Sequence, residues 1–139
     1  MGWEKVYAID PHLGAPVINH KFSGPTYKQF LDNIKKAKVD RVIVPIRKTS
    51  VRARKGWKLP IRMLFIDGDH SIAGVRGDLL DWEPLVSDGG IIALHDAVNP
   101  ELGPVRGIVN ILLRSPRFTN LGVVDSIFYG TKAGKKNWK

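Results

Sequence analysis

The sequence predicts an α/β fold with a mainly parallel sheet and an antiparallel hairpin near its C-terminus. Three observations carry that reading. Short apolar runs at 6–9, 41–46, 61–66 and 89–94 alternate with stretches whose apolar residues recur at helical spacing. Two further runs, NLGVV and SIFYG, flank Asp125-Ser126 and read as an antiparallel pair. The chain has 139 residues and 43% hydrophobic content, which fits one domain, 1–139, with a real core.

Taken in order, VYAI (6–9) is a buried strand that stops at Asp10-Pro11, and Pro11, Gly14 and Pro16 mark a loop. In SGPTYKQFLDNIKKAK, Tyr27, Phe30, Leu31, Ile34 and Ala37 fall on one helical face. Pro25 suits the first turn of that helix, and Lys35, Lys36 and Lys38 suit its negative end. RVIVPI (41–46) is a second strand, and Pro45, which lacks an N–H, must lie at its end or near a sheet edge. TSVRARKGW (49–57) is a short helix capped by Thr49 or Ser50. IRMLFI (61–66) is a third strand.

The stripe Ile72, Val75, Leu79 and Trp82 is a helix that ends before Pro84. Gly89-Gly90 turns into a fourth strand ending at Leu94. A helix over about 104–114 starts at Pro104 and turns Val105, Ile108, Val109 and Leu112 inward. Trp57, Trp82 and Phe65 read as core residues, and 132–139 as a basic mobile tail. No repeat, low-complexity segment or linker interrupts the chain.

Composition excludes several classes. No apolar run approaches the ~20 residues that span a bilayer, and MGWEKVYAID lacks the apolar core of a signal peptide. There are no cysteines, hence no disulfide framework and no thiolate chemistry, and the default location is cytoplasmic. The net charge of +9 is unevenly placed. Eleven Lys or Arg against one Asp lie between Lys35 and Arg62, and eight acids against one Arg lie between Asp67 and Glu101. A basic run of that kind is a solvated surface first and a polyanion-binding surface second.

Chemistry concentrates where strands end. Open α/β sheets bind ligands at the carboxyl ends of their strands. Asp10, the Lys48-Thr49-Ser50 stretch, the Asp67-to-His70 segment and His95-Asp96 occupy four such ends. Asp10 is either a turn former or an acceptor for ribose hydroxyls. Asp67 and Asp69 either shape a glycine turn or, as two acids beside a histidine, hold a cation that relieves their repulsion. His70 is either a helix cap or a catalytic group. Strand alternation turns His95 away from Asp96. Neither GxGxxG nor a P-loop is present.

VYAIDPH, RKTS, LFIDGDHSIAGVRGDLLDWEPLVSDGGIIALHD and VVDSIFYG together resemble class I S-adenosylmethionine-dependent methyltransferases, most nearly the methyltransferase-24 family of bacterial small-molecule enzymes. The resemblance covers nearly the whole chain, and it implies a Rossmann-like sheet. It also implies that Asp10 binds the cofactor ribose, that Thr49 and Ser50 meet the adenine edge, and that Asp67 with Gly68 lies near the reacting methyl group. In related cation-dependent O-methyltransferases the acid at Asp67 ligates a divalent metal, here Mg²⁺, together with the acid at Asp96. Those relatives carry a lysine base where this chain has His70.

There are two departures. Ala97 stands where the metal-dependent relatives have asparagine, which leaves a third protein ligand unidentified. MGWEKVYAID resembles the end of the family's first helix running into its second strand, so the first strand, its glycine-rich loop and the start of that helix are expected to be missing. The strands at 6–9 and 61–66 then pair directly, accept a strand from a partner, or leave open edges. A homo-oligomer or a strand-donating partner follows from that expectation.

The function implied is O-methylation of a small molecule or sugar, by a chain incomplete alone or completed by a partner. Two alternatives come from other classes. One is a metal-dependent hydrolase using Asp67, His70 and Asp96 with Asp69 and His95. The other is a non-catalytic polyanion-binding module on the basic run. Nucleic acid is the less favoured partner, because Trp57 is the one aromatic residue within that run.

Overall fold

The computed structural model describes residues 4–14, 26–98, 108, 109, 112 and 114–134. Contacts divide the chain into two compact units, Met1–Gly56 and Trp57–Lys139. Each unit carries its own sheet.

The first unit holds β1 (Val6–Ile9), α1 (Tyr27–Lys36), β2 (Ile43–Ile46) and α2 (Ser50–Arg54). β1 and β2 pair in parallel from Val6↔Ile43 to Ile9↔Ile46. Pro45 sits opposite Ala8 inside β2. That position is tolerated because, among the described residues, β1 is the only partner of β2, so the missing N–H falls on an unpaired edge. Helix α1 buries Ile34 and stops where Lys38 turns to φ 57°. The Pro25 start and the Pro16 loop position lie outside the described residues.

The second unit holds β3 (Ile61–Ile66), α3 (Ile72–Trp82), a 3₁₀ turn (Glu83–Leu85), β4 (Val86–Leu94), β5 (Phe118–Val124) and β6 (Ile127–Lys132). Its sheet runs β3-β4-β6-β5, with β3 parallel to β4 and the C-terminal pair antiparallel. The α/β architecture with parallel strands and a closing antiparallel hairpin is the one the sequence predicts. Among the described residues, β1 pairs with β2 and β3 with β4.

One sheet face packs Ile66, Ile92 and Leu94 against Val75 and Leu79 of α3, with Ile108, Leu112, Phe118 and Phe128 completing the core. Ile92 and Leu94 are buried almost completely, and each contributes about 1.5–3 kcal/mol by leaving water. Ile108, Val109 and Leu112 are helical, as the 104–114 stripe predicts, whereas Pro104 and Val105 lie outside the described residues. No described helix is long and apolar enough to cross a membrane.

Several details differ from the sequence reading. β4 starts at Val86, because the register jumps from Ile61↔Val86 to Met63↔Ile91 and the intervening residues bulge out of the ladder. Gly89 takes φ 78° there, a conformation that favours glycine. Phe65, expected in the core, is 48% exposed because alternation along β3 sends Leu64 and Ile66 inward and Met63 and Phe65 outward. Trp82 is buried as expected, and Trp57 meets it edge-on at 5.3 Å.

Lys132, placed by the sequence reading at the start of the tail, instead ends β6. It is buried, and its Nζ lies 3.2 Å from Glu83 Oε1 and donates to the Glu83 carbonyl at 2.9 Å. Arg117 Nη1 reaches the other Glu83 oxygen at 3.3 Å. One buried acid thus holds two cations from separate segments, a network the sequence reading did not anticipate. Residues 135–139 lie outside the described residues.

Candidate active site

The parallel register of β3 and β4 brings two strand ends side by side. Ile66 pairs with Leu94, and the His95 N–H extends the ladder by donating to the Ile66 carbonyl at 3.0 Å. Asp67 and His95 therefore leave the sheet as neighbours, on the rim where α/β folds carry their ligands.

Asp96 then takes φ 52°, and the Ala97 N–H donates to the Ser126 carbonyl at 2.9 Å. That left-handed residue ends strand alternation, so His95 and Asp96 turn their side chains to the same place. The sequence reading had them facing apart, which holds only while the chain stays extended.

His70 enters from the loop before α3. Its cap role is filled by others. The Ser71 hydroxyl accepts from the Gly74 N–H at 3.0 Å, and Asp69 accepts from the Ser71 N–H at 2.8 Å and the Ser71 hydroxyl at 2.9 Å. A side chain on Gly74 would collide with Asp69, since a Cβ there would stand 2.6 Å from the Asp69 Cγ. The Ser71 N–H first, and its hydroxyl second, hold the Asp69 carboxyl below the ordinary carboxylate range. Asp69 is thus a structural acid, and His70 is left free to face Asp67 and Asp96.

Four side chains converge. The ligating atoms of Asp67, His70, His95 and Asp96 all lie within 4.8 Å of one another. His95 Nδ1 is 3.0 Å from Asp67 Oδ1 and 3.3 Å from Asp96 Oδ2. His70 Nε2 is 3.7 Å from Asp67 Oδ1 and 3.4 Å from Asp96 Oδ2. Both nitrogens are buried, yet neither has a hydrogen-bond partner. Buried polar atoms are nearly always paired, so two orphans facing two carboxylates mark a place built for something else. The donor set of two carboxylates and two imidazoles fits a divalent cation. The side chains remain a quarter to a half exposed, so the site is open to solvent on one side.

Gly68 packs its backbone near Asp78, where a Cβ would stand 3.3 Å from a carboxylate oxygen. In the first unit, Asp10 follows β1, and its N–H extends the ladder by donating to the Ile46 carbonyl at 3.2 Å. Asp10 Oδ1 accepts from the His12 N–H at 2.6 Å, closing an Asx-type turn. Thr49 caps α2, its hydroxyl accepting from the Arg52 N–H at 3.4 Å, and Ser50 is the first helical residue. Thr49 and Asp10 thus have local structural tasks as well as strand-end positions.

Comparison with known proteins follows the same line. A family model described as a methyltransferase domain, methyltransferase-24, matches residues 2–97. A Corynebacterium glutamicum protein of known structure shares the fold at TM-score 0.70 and 12% identity, over 94% of this chain and 62% of that one. The O-methyltransferase TomG of Streptomyces achromogenes, involved in tomaymycin synthesis and solved with S-adenosylmethionine, aligns at TM-score 0.66 and 12% identity, over 94% and 62%. The MycE methyltransferase of the mycinamycin pathway, solved with Mg and S-adenosylhomocysteine, aligns at 0.55 and 18%, over 93% and 45%. The chain spans less than two thirds of the length of each of these three.

Proposed function

The chain belongs to the methyltransferase-24 family of methyltransferase domains, and we propose that it moves the methyl group of S-adenosylmethionine onto a hydroxyl of a small molecule or sugar. The observation that carries this reading is the convergence of Asp67, His70, His95 and Asp96 on one strand-end rim, with two buried nitrogens unpaired. The fold shared with an O-methyltransferase and with a methyltransferase solved with Mg supports it.

When bound, S-adenosylmethionine supplies an electrophilic methyl carbon on a sulfonium. The residues of this chain then have separable tasks. Asp10 accepts the ribose hydroxyls with the oxygen its turn leaves over, Thr49 and Ser50 border the adenine, and Asp67 with Gly68 lies at the methyl end. Asp67 and Asp96 would hold a divalent cation, Mg²⁺ or a relative, which would supply Lewis acidity toward an acceptor hydroxyl. His70, beside the two carboxylates, is the group placed to take the hydroxyl proton at Nε2 as the oxygen attacks. The new O–CH₃ bond forms as the S–CH₃ bond breaks, and the electron pair leaves with sulfur. Alignment of the acceptor behind the methyl group contributes several kcal/mol more, on the order of 7–11 in the best cases.

Calorimetric titration with S-adenosylhomocysteine tests the reading. Saturable binding is expected, about tenfold weaker in Asp10→Asn, because the amide oxygen keeps the turn but loses the charge that holds two hydroxyls. Absence of binding heat and of any thermal shift in the wild-type chain would overturn it. The same cluster also suits metal-dependent hydrolysis, and phosphoesterase turnover without the methyl donor would move the assignment there.

A further inference from the structure

We propose that His95 is the third protein ligand of the divalent centre with Asp67 and Asp96, and that its imidazole tunes this centre toward first-row transition ions and away from Mg²⁺. The inference rests on the reading of this rim as a methyl-transfer site, and it concerns the identity and ligand set of the cation there.

Geometry separates the two histidines. His95 Nδ1 lies 3.0 and 3.3 Å from the two carboxylate oxygens. Donors around one cation at 2.0–2.2 Å stand about 3.0–3.6 Å apart, so these spacings are those of adjacent ligands. Neither contact has hydrogen-bond geometry, although all three atoms are within reach. A nitrogen and two oxygens this close, with no hydrogen bond from the nitrogen, are spaced to share one cation. His70 Nε2 stands at 3.4 and 3.7 Å, the second beyond that range, and it is assigned the proton-acceptor role beside the centre.

The backbone enforces the arrangement. The His95 N–H is fixed on Ile66, and the left-handed Asp96 brings both consecutive side chains to one side. Ala97, which occupies the position where the sequence comparison sought a ligand, is buried at 3% exposure and offers no donor atom. His95 supplies from two residues earlier what Ala97 lacks. Chemistry follows from the donor. Mg²⁺ prefers oxygen ligands and near-ideal octahedral geometry, whereas imidazole suits Zn²⁺, Fe²⁺ and their neighbours. Because most sites bind Zn²⁺ or Co²⁺ more tightly than Mg²⁺, the informative quantity is how far the ratio depends on His95.

The test uses the full chain loaded with Mn²⁺ and read by electron spin-echo envelope modulation, which registers a directly bound nitrogen. Nitrogen modulation is expected in the wild type, retained in His70→Gln and lost in His95→Asp. Calorimetry with Co²⁺ and with Mg²⁺ is expected to show the Co²⁺-to-Mg²⁺ affinity ratio falling at least tenfold in His95→Asp. Failure to bind Mn²⁺, a wild-type spectrum without nitrogen, nitrogen that survives in His95→Asp, or nitrogen lost in His70→Gln would each overturn the proposal. If His95→Asp fails to fold, His95→Asn takes its place, with the same loss of nitrogen modulation expected. Titration with S-adenosylhomocysteine in metal-free buffer reports separately on the methyl-transfer reading, so the two can fail independently.

Discussion

The strand ends of the two units handle their acids differently. After β1, Asp10 turns one oxygen back onto its own loop, where the His12 N–H donates at 2.6 Å. His12, at φ 54°, is buried beside Tyr27 and Phe30, with ring centroids 5.2 and 5.0 Å away, and its Nδ1 lies 3.0 Å from the Thr26 hydroxyl. The His12 N–H, its Nδ1 and one Asp10 oxygen are satisfied locally there. After β3 and β4, four side chains face one another and two buried nitrogens stay unpaired. Residue types are similar at both ends. What separates the two ends is which polar atoms the fold leaves without a hydrogen bond.

The comparison breaks most sharply at His70. With a hydroxyl acceptor that supports turnover, His70→Gln is expected to lower kcat by about 10²–10⁴-fold, the range for losing a general base, with no loss of thermal stability. A turnover number within threefold of wild type would return His70 to a structural role. Next in size is Glu83→Ala, which removes the carboxylate that Lys132 and Arg117 share and leaves Lys132 only the residue-83 carbonyl. Breaking a buried pair of this kind costs about 3–5 kcal/mol, read as a fall in the urea midpoint. A change below 1 kcal/mol would show that solvent already screens the network.

The smallest effect contrasts Asp67 with its neighbour Asp69. The Asp69 carboxyl is depressed in the folded state by the Ser71 N–H and hydroxyl. Its contribution to stability is therefore present above the unfolded value of about 3.9 and lost as pH falls through the folded value. Wild type is expected to melt slightly above Asp69→Asn at pH 6, with the gap closing as the pH falls past the unfolded value, since the loop is exposed and the cap is one turn long. A gap that widens on acidification would contradict the assigned hydrogen bonds.

Much of this was legible in the sequence, and the limits are instructive. The apolar runs and helical stripes located every described strand and helix to within a few residues, because burial on one face leaves a periodic trace. The bulge at 86–91 left none, so β4 began earlier than GGIIAL indicated. Asp67, His70 and Asp96 were nominated from their strand-end positions, and the structure brings them together. His95 was misjudged because one left-handed residue, Asp96, cancels the alternation rule, and a φ angle has no signature in an aspartate. Glu83, Lys132 and Arg117 were invisible as a network, since charges distant in sequence give no sign that folding will bury them together.

The central claim, that the Asp67–Asp96 rim receives the methyl end of S-adenosylmethionine, is tested most directly by isotope-filtered NMR. Donor carrying a ¹³C-methyl group is bound to the protein, and nuclear Overhauser contacts are sought to the assigned ring protons of His70. Cross-peaks to that ring are expected, and they should vanish when unlabelled S-adenosylhomocysteine displaces the donor. A bound methyl group with contacts elsewhere and none to His70 would contradict the account.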